Sequence, residues 1–303
     1  MAFYSVKKPS GSIVTVDGVR ITDKNFDLVT MIVSEEKKEN LPYYFYQGSA
    51  VVLNNEIHIL GSADSSYCRY HYKWNGTSWT SVSTLPYDFY CGSAVVLNNE
   101  IHILGGTGGN RYHYKWNGTS WTSVSSLPYN FYSSSAVVYN NEIHILGSSY
   151  YSSTYTNHYK WNGTSWTSVS TLPYYFYWGS AVVLNNEIHI LGGSGNDTKH
   201  YKWNGTSWTS VSTLPYEFYC GSAVVLNNEI HILGNYSGYT KYHYKWNGSS
   251  SWTKVGTLPY DFYYGSAVVL NNEIHILGSS HDGSTQKYHY AIDVPYLIKG
   301  GDN

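Results

Sequence analysis

Most of the chain, from residue 41 onward, consists of six copies of one sequence unit, whose starts lie 42 to 45 residues apart. The copies begin at the Leu-Pro pairs that start at residues 41, 85, 127, 172, 214 and 258. A period in this range is typical of β-propellers and solenoids, in which each unit buries its apolar surface against its neighbours. This spacing constrains the fold more than any other feature of the sequence.

Each unit predicts four short antiparallel strands joined as a meander. In the second copy these strands are predicted at Ser93–Leu97, Glu100–Leu104, Tyr112–Trp116 and Trp121–Ser125. Asn98-Asn99 joins the first two strands, because asparagine tolerates the positive φ of a tight hairpin. One such sheet cannot bury both faces, whereas six arranged radially bury them against each other. The sequence therefore predicts an all-β, six-bladed β-propeller with four-stranded antiparallel blades.

A glycine pair follows the second strand, and a tyrosine and a tryptophan seven residues apart follow the pair, as at Tyr114 and Trp121. This pattern resembles the kelch repeat over about residues 41–290, which implies a kelch-like propeller. The chain lacks the arginine that often precedes the first strand of a kelch repeat. The tyrosine-rich copies also resemble kelch-like proteins of gut bacteria or phage tails. The second glycine is replaced in four copies, by Ser62, Ser148, Asn235 and Ser279.

Copy six lacks a tryptophan-containing fourth strand, so the ring needs a strand from elsewhere to avoid an open edge. Leu28–Val33 is predicted to supply this outer strand, and the charged segment Ser34–Asn40 is predicted to connect it to copy one. Tyr296–Ile298 is the rival, which would leave residues 1–33 as a separate arm.

Two domains are predicted. Residues 1–27 are expected to form a β-hairpin arm that turns at Asp17-Gly18, a strong hairpin signal. Residues 28–303 are expected to form the propeller, closed by its N-terminal strand. The protein is expected to be a monomer unless the arm mediates assembly.

Charge and composition exclude several classes of partner. The net charge is −2 and only 13% of residues are charged, which gives no field to attract nucleic acid. There is no apolar run that could span a bilayer, and we expect no membrane insertion. The three cysteines form neither a disulfide framework nor a CxxC pattern. A cytoplasmic or virion-associated location is expected.

Twelve of the thirteen histidines recur in the second and third strands of the repeat, and His281 is the exception. Histidine is a common metal ligand and acid–base group. Equivalent histidines of different blades lie too far apart to share one metal, so packing and hydrogen bonding between blades is the expected role. We expect no catalytic residue, metal or cofactor, and no residue matches the copper or catalytic positions of kelch-type oxidases or mutarotases.

The copies differ from one another mainly in two places, both predicted to lie on the face where second strands lead to third strands and fourth strands to first. One is the loop after each second strand. The other flanks the Phe-Tyr pair before each first strand. There the outer set is Tyr44, Asp88, Asn130, Tyr175, Glu217 and Asp261, and the inner set is Gln47, Cys91, Ser133, Trp178, Cys220 and Tyr264. These twelve residues are predicted to bind a ligand around the mouth of the central channel.

The chain has 34 tyrosines, and its variable loops add Ser, Gly, Asn and Asp, a composition typical of binding loops. Trp178 is the one tryptophan outside the repeated motifs. It is predicted to form an exposed platform beside Tyr175, with hydrogen bonds across the mouth from Asp88, Glu217 and Asp261.

Three hypotheses about function follow from the sequence. The preferred one is a non-catalytic recognition module that binds a protein or a glycan on the variable face. The alternatives are a structural or receptor-binding component of a phage-like particle and a kelch-type enzyme resembling a mutarotase or an oxidase.

Overall fold

A computed structural model of the chain describes residues 4–7, 13–14, 34–148, 155–193, 198–236, 238, 240–249, 251–279, 285–294 and 296–299. Within these residues the chain is all-β, with six four-stranded antiparallel sheets arranged as a ring. The predicted six-bladed β-propeller is confirmed. None of the described residues forms a helix long and apolar enough to cross a bilayer.

The strands follow the repeat. The first three are β1 (Tyr4–Lys7), β2 (Ile13–Val14) and β3 (Ser34–Lys37). Blade one has β4 (Ser49–Leu53), β5 (Glu56–Leu60), β6 (Tyr70–Trp74) and β7 (Trp79–Thr84); blade two has β8 (Ser93–Leu97), β9 (Glu100–Leu104), β10 (His113–Trp116) and β11 (Trp121–Ser123). Blade three has β12 (Ser135–Tyr139), β13 (Glu142–Leu146), β14 (Asn157–Trp161) and β15 (Trp166–Thr171); blade four has β16 (Ser180–Leu184), β17 (Glu187–Leu191), β18 (His200–Trp203) and β19 (Trp208–Ser210). Blade five has β20 (Ser222–Leu226), β21 (Glu229–Leu233), β22 (Tyr242–Trp246) and β23 (Thr253–Thr257). The last strands are β24 (Ser266–Leu270), β25 (Glu273–Leu277), β26 (His289–Asp293) and β27 (Tyr296–Lys299), and a 3-10 turn spans Thr285–Lys287.

The hydrophobic core consists of six layers, one between each pair of neighbouring blades. Between blades one and two, Leu60 packs with Leu85, Phe89, Ile101 and Trp116. The phenylalanine before the first strand is fully buried in every blade, and such burial stabilises a fold by about 2 to 3 kcal/mol per side chain. The innermost strands contact one another around the ring, from β4 to β8 and onward until β24 meets β4.

A buried histidine pair links the second and third strands in every blade and extends to the next blade. In blade one, His58 Nδ1 lies 2.8 Å from His71 Nε2, and His71 Nδ1 lies 2.9 Å from Ser83 Oγ. Trp121 of blade two donates its indole N–H to the same Ser83 Oγ at 3.0 Å, and Trp116 contacts the His71 ring edge-on. The predicted packing of the histidines between blades is confirmed, whereas their hydrogen bonds lie within one blade, and it is Trp121 that reaches across to Ser83.

Blade six is closed by an N-terminal strand, but the strand is not the predicted one. β3 pairs antiparallel with β26, so that Lys37 lies opposite Tyr290 and Glu35 opposite Ile292. The choice of Leu28–Val33 was wrong, because the outer strand of every blade faces solvent and needs no apolar residues. The charged segment Ser34–Lys37 suits that edge position, and Lys37 Nζ lies over the Tyr288 ring at 4.5 Å from its centroid. Residues 28–33 lie outside the described residues.

The rival closing strand has a different partner. β27 pairs with β1, and β1 pairs in turn with β2, which gives a three-stranded sheet separate from the six blades. Tyr296–Ile298 therefore does not close blade six. The hairpin predicted at Asp17-Gly18 falls outside the described residues, and the boundary between residues 27 and 28 stays a prediction.

The Asn-Asn turns give a test of the hairpin geometry. Asn98 and Asn99 have φ values of 51° and 64°, in the left-handed region. A Val-Val replacement should destabilise the protein by about 2 kcal/mol or more, because a β-branched residue is strained there. Asn99→Gly is the matched control and should be neutral or stabilising by a few tenths of a kcal/mol. Urea unfolding measures both, and equal stability of the two variants would contradict the assigned turn.

Candidate binding site at the channel mouth

The two variable regions of the repeat lie side by side on one face. The loop before each first strand is hydrogen-bonded to the loop after the second strand of the preceding blade. Phe89 N donates to Cys68 O at 2.8 Å, and Phe176 N donates to Tyr155 O at 2.9 Å. The structure therefore brings the variable loops of neighbouring blades together, as the meander predicted.

The inner set forms a closed ring of backbone hydrogen bonds. The N–H of each member donates to the carbonyl of its equivalent in the preceding blade, at 2.6 to 2.8 Å, and Gln47 N closes the ring on Tyr264 O. Because the ring uses the backbone groups of all six residues, only their side chains remain to face a ligand. This ring of backbone hydrogen bonds also explains why residues as different as Ser133 and Trp178 occupy equivalent positions without changing the fold.

All six members of this ring have left-handed backbones, with φ between 53° and 59°. For residues other than glycine this conformation costs about 1 to 2 kcal/mol each. Glycine would remove the strain, yet no copy has glycine there. Strained backbone of this kind concentrates at functional sites. The six side chains are thus kept at a conformational cost.

A cavity of about 110 Å³ opens at the centre of this ring. It is lined by the inner set and by the residues that follow each member, and the lining carries no charged side chain. Small or flexible polar groups occupy one half of the ring, at Gln47, Cys91 and Ser133. Aromatic rings occupy part of the other half, at Trp178 and Tyr264. The mouth is therefore uncharged and asymmetric.

Trp178 reaches across the mouth and does not form the predicted platform beside Tyr175. Its indole meets the Tyr264 ring, two blades further on, edge to face with centroids 5.0 Å apart. It also contacts Tyr132 and Tyr219, with centroids 6.4 and 6.2 Å away. The indole is half-buried. The left-handed backbone explains the error, since it directs the side chain toward the channel axis.

The outer set lies at the rim and does not line the cavity. Several of its members contact the loop of the preceding blade. Tyr44 lies under Lys287 Nζ, 4.8 Å from the ring centroid, and Asp261 accepts a hydrogen bond from Thr240 Oγ1. Glu217 and Asp88 are exposed. The acidic members Asp88, Glu217 and Asp261 therefore lie at the rim, and their hydrogen bonds to a ligand across the mouth stay a prediction.

The titratable groups at the mouth are neutral at pH 7. Burial raises the pKa of the Cys91 thiol to about 11, although a hydrogen bond with Tyr132 lowers it in part. Burial also raises the pKa of Cys220 well above its usual value, and that of the Tyr264 hydroxyl likewise. A thiol must be deprotonated to act as a nucleophile or a metal ligand. The two mouth cysteines are thus poor candidates for either role at neutral pH.

Sequence reasoning missed part of the aromatic surface around the mouth. Tyr132 and Tyr219 belong to the Phe-Tyr pairs that are the same in all six copies, so a comparison of the copies does not single them out. Tyr236, in the variable loop of blade five, is 52% exposed, and its ring contacts Tyr219 and Tyr264. We call this group the mouth cluster, which consists of Trp178 and the tyrosines Tyr132, Tyr219, Tyr236 and Tyr264. The variability of the blade-five loop was the one available signal.

No metal centre is found in the part of the chain that the structure describes, where no three His, Cys, Asp or Glu residues come together to hold an ion. His281, the one histidine outside the repeated positions, lies beyond the described residues. In blades one to five the glutamate that follows the Asn-Asn turn pairs with a third-strand lysine, as between Glu56 and Lys73 at 2.9 Å. These ion pairs account for the repeated carboxylates as surface structure.

Comparison with known proteins supports the fold. No protein-family model matches the chain, and no curated protein matches its sequence. Among solved structures, 540 chains match it. One is the structure of YjhT, with a TM-score of 0.70 and 16% sequence identity over 88% of this chain and 98% of that one. At this identity the likeness shows a shared six-bladed propeller and no more.

Proposed function

We propose that this protein is a non-catalytic recognition module, built from kelch-type repeats, that binds a glycan over the channel mouth. The observation that carries the proposal is the ring of six left-handed residues, none of them glycine. The fold obtains its hydrogen bonds there from the backbone alone. Glycine at each position would adopt this backbone conformation without strain, so the side chains present there have a role other than stabilising the fold.

The chemistry of the mouth favours a glycan over a protein. The lining has hydroxyl, amide and aromatic groups and no charge, which suits the hydroxyls and apolar faces of a sugar. Tyrosine and tryptophan provide stiff contact area with a polar tip. The central concavity of about 110 Å³ accommodates a small projecting group rather than a flat protein surface. A protein ligand is the other outcome of the test below.

The same groups disfavour catalysis. Acid–base chemistry needs titratable groups whose environments separate their pKa values, and the acidic residues of the outer set lie at the rim, away from the cavity. The protonated thiols of Cys91 and Cys220 are weak nucleophiles. Binding without reaction is the function that these side chains support.

The kelch assignment has support in the glycine pair. A Cβ on Gly105, which has φ of 60°, would lie 2.2 Å from the carbonyl oxygen of Phe131 in the next blade. The first glycine is therefore required in every copy. Where serine replaces the second glycine, it is accommodated by a hydrogen bond, as from Ser62 Oγ to Tyr44 O at 2.7 Å.

Trp178→Ser, which borrows the residue of blade three, should leave the fold intact and weaken ligand binding about 30-fold. A buried aromatic anchor at an interface typically contributes 2 kcal/mol or more. The measurement is binding to an array of uncharged and acidic glycans, followed by titration of the glycans that bind. Wild type should select uncharged glycans.

Tyr112→Ser is the control, because this exposed tyrosine lies just before β10 of blade two, packs on Tyr87 and does not line the mouth cavity. It should bind as wild type does. If Trp178→Ser binds normally while folded, the site is not the mouth. If wild type binds no glycan on the array, the glycan proposal is wrong and a protein ligand takes its place.

A further inference from the structure

We infer that the ligand is a linear, uncharged oligosaccharide that runs along blade four, with one end over Trp178 and the following units over Tyr177 and Tyr175. This inference rests on the proposed function and adds the direction, the length and the charge of the ligand. The observation behind it is a row of aromatic side chains that leads from the rim of the propeller to its mouth.

The row begins at Tyr175, which is 59% exposed and is the most exposed large hydrophobic residue among the described residues. Its ring meets Tyr155 edge-on at 5.4 Å, and Tyr155 also contacts Tyr177 at 4.9 Å. Tyr177 is followed in the chain by Trp178. Trp178 contacts Tyr219 with centroids 6.2 Å apart, so the row meets the mouth cluster at Trp178.

No other blade has this row among the residues that the structure describes. The position of Tyr175 is acidic in three of them, at Asp88, Glu217 and Asp261, and it is Asn130 in blade three. Blade one also has a tyrosine, Tyr44, but that ring is half-buried under Lys287.

The row dictates the chemistry of its ligand. Tyr155, Tyr175, Tyr177 and Trp178 are uncharged, so they give no attraction to an acidic or basic polymer. Their rings offer apolar faces, and their polar tips donate and accept hydrogen bonds. Tyr175 and Trp178 are three residues apart in the chain, a separation of at most about 10 Å, which is roughly the length of two sugar units. Together with the mouth, the row should hold about three units.

The test is a titration of cello-, xylo-, manno- and chito-oligosaccharides, each from one to six units, with oligogalacturonides as the acidic comparison. For the series that binds, affinity should rise at least 10-fold from two to about three units and then remain constant. Tyr175→Asp, which places the blade-two residue in blade four, should remove this gain and leave disaccharide affinity unchanged. Trp178→Ser should weaken the short and the long ligands alike.

Two control variants distinguish the loss of an aromatic contact with the ligand from nonspecific effects of substitution. Tyr175→Phe should keep the gain with length, because it keeps the ring. Tyr112→Asp makes the same change at an exposed tyrosine of blade two, outside the predicted binding residues, and should change no affinity. Circular dichroism and thermal unfolding check that each variant folds, and Tyr175→Ala replaces Tyr175→Asp if the latter does not.

The possible results separate the two proposals. If Trp178→Ser weakens binding and the Tyr175 variants bind long ligands as wild type does, the inference is wrong and the proposed function stands. Affinity that does not change with length, or a preference for oligogalacturonides, also overturns the inference. If wild type binds none of the oligosaccharides and no glycan of the array, the glycan function fails as well.

Discussion

Acidification from pH 7 to pH 5 is expected to unfold the propeller in one cooperative transition, with a midpoint between about pH 5 and 6. The cause is the set of twelve buried histidines in the second and third strands. Burial lowers the pKa of His58 from the usual 6.5 to about 4, and that of His71 to about 3. Every other blade has a pair with lowered pKa values.

The sign of the effect follows from proton binding. Between pH 6.5 and 4 the unfolded chain binds protons at these histidines and the folded chain does not, so stability falls as the pH falls. Above pH 6.5 both states are neutral and the stability is fully present. Among the charged neighbours in blade one, Glu56 raises the pKa of His58 and Lys73 lowers it, but burial remains the largest cause.

The size of the effect comes from the repeat. One such histidine contributes about 1.4 kcal/mol per pH unit once the unfolded chain is fully protonated. Twelve of them together exceed, within about one pH unit, the roughly 5 to 15 kcal/mol that stabilises a folded domain. The pairs cannot easily relax, because the two rings are hydrogen-bonded to each other at 2.8 Å and packed against the tryptophan of the next blade.

Urea unfolding at a series of pH values from 7.5 to 6.5, where the protein is still folded, measures the number of protons taken up. We expect about six at pH 6.5, half of the twelve histidines, since carboxylates titrate lower. The double variant His58→Gln/His71→Gln should reduce this uptake by about one. A transition that begins only below pH 4, or an uptake of three protons or fewer, would show that the histidines are not the source.

Most of the fold could be predicted from the sequence because each local pattern occurs in six copies of the repeat. The meander, the Asn-Asn turns and the histidine packing depend on local chemistry within one unit or on neighbouring units. The closing strand was misplaced because it occurs once and lacks the apolar pattern that identifies strands. Ser34–Lys37 is paired by its backbone with β26, and its charged side chains suit an exposed edge.

The candidate site could be predicted only in part. Comparing the copies identified the inner set, and the structure places all six members around one cavity. The direction of each side chain depends on the left-handed backbone, for which the sequence has no signal at residues such as Trp178 and Tyr264. For the same reason the approach of Trp178 to Tyr264 across two blades could not be anticipated.

Deletion of residues 1–37 should destabilise the whole ring by about 3 kcal/mol or more and lower the melting temperature by about 5 °C or more. Without β3 the ladder groups of β26 become an open edge, and the cover is lost over Ala291 and Ile292, which are 1% and 0% exposed. The backbone bond from Lys38 N to His289 O, at 2.9 Å, loses the strand that orients it. An open edge also promotes pairing with a second chain.

Deletion of residues 1–33 is the matched control, because it removes β1 and β2 and keeps β3. This variant should melt within about 2 °C of the full chain, since no blade loses a strand. Thermal unfolding and size-exclusion chromatography measure both variants, and only the longer deletion should form dimers or aggregates. The two deletions differ only by the four residues of β3, so the difference in their stability measures how much the pairing of β3 with β26 contributes to closing the ring. If both variants melt alike, β3 does not close the ring in solution, and the edge of blade six is protected in another way.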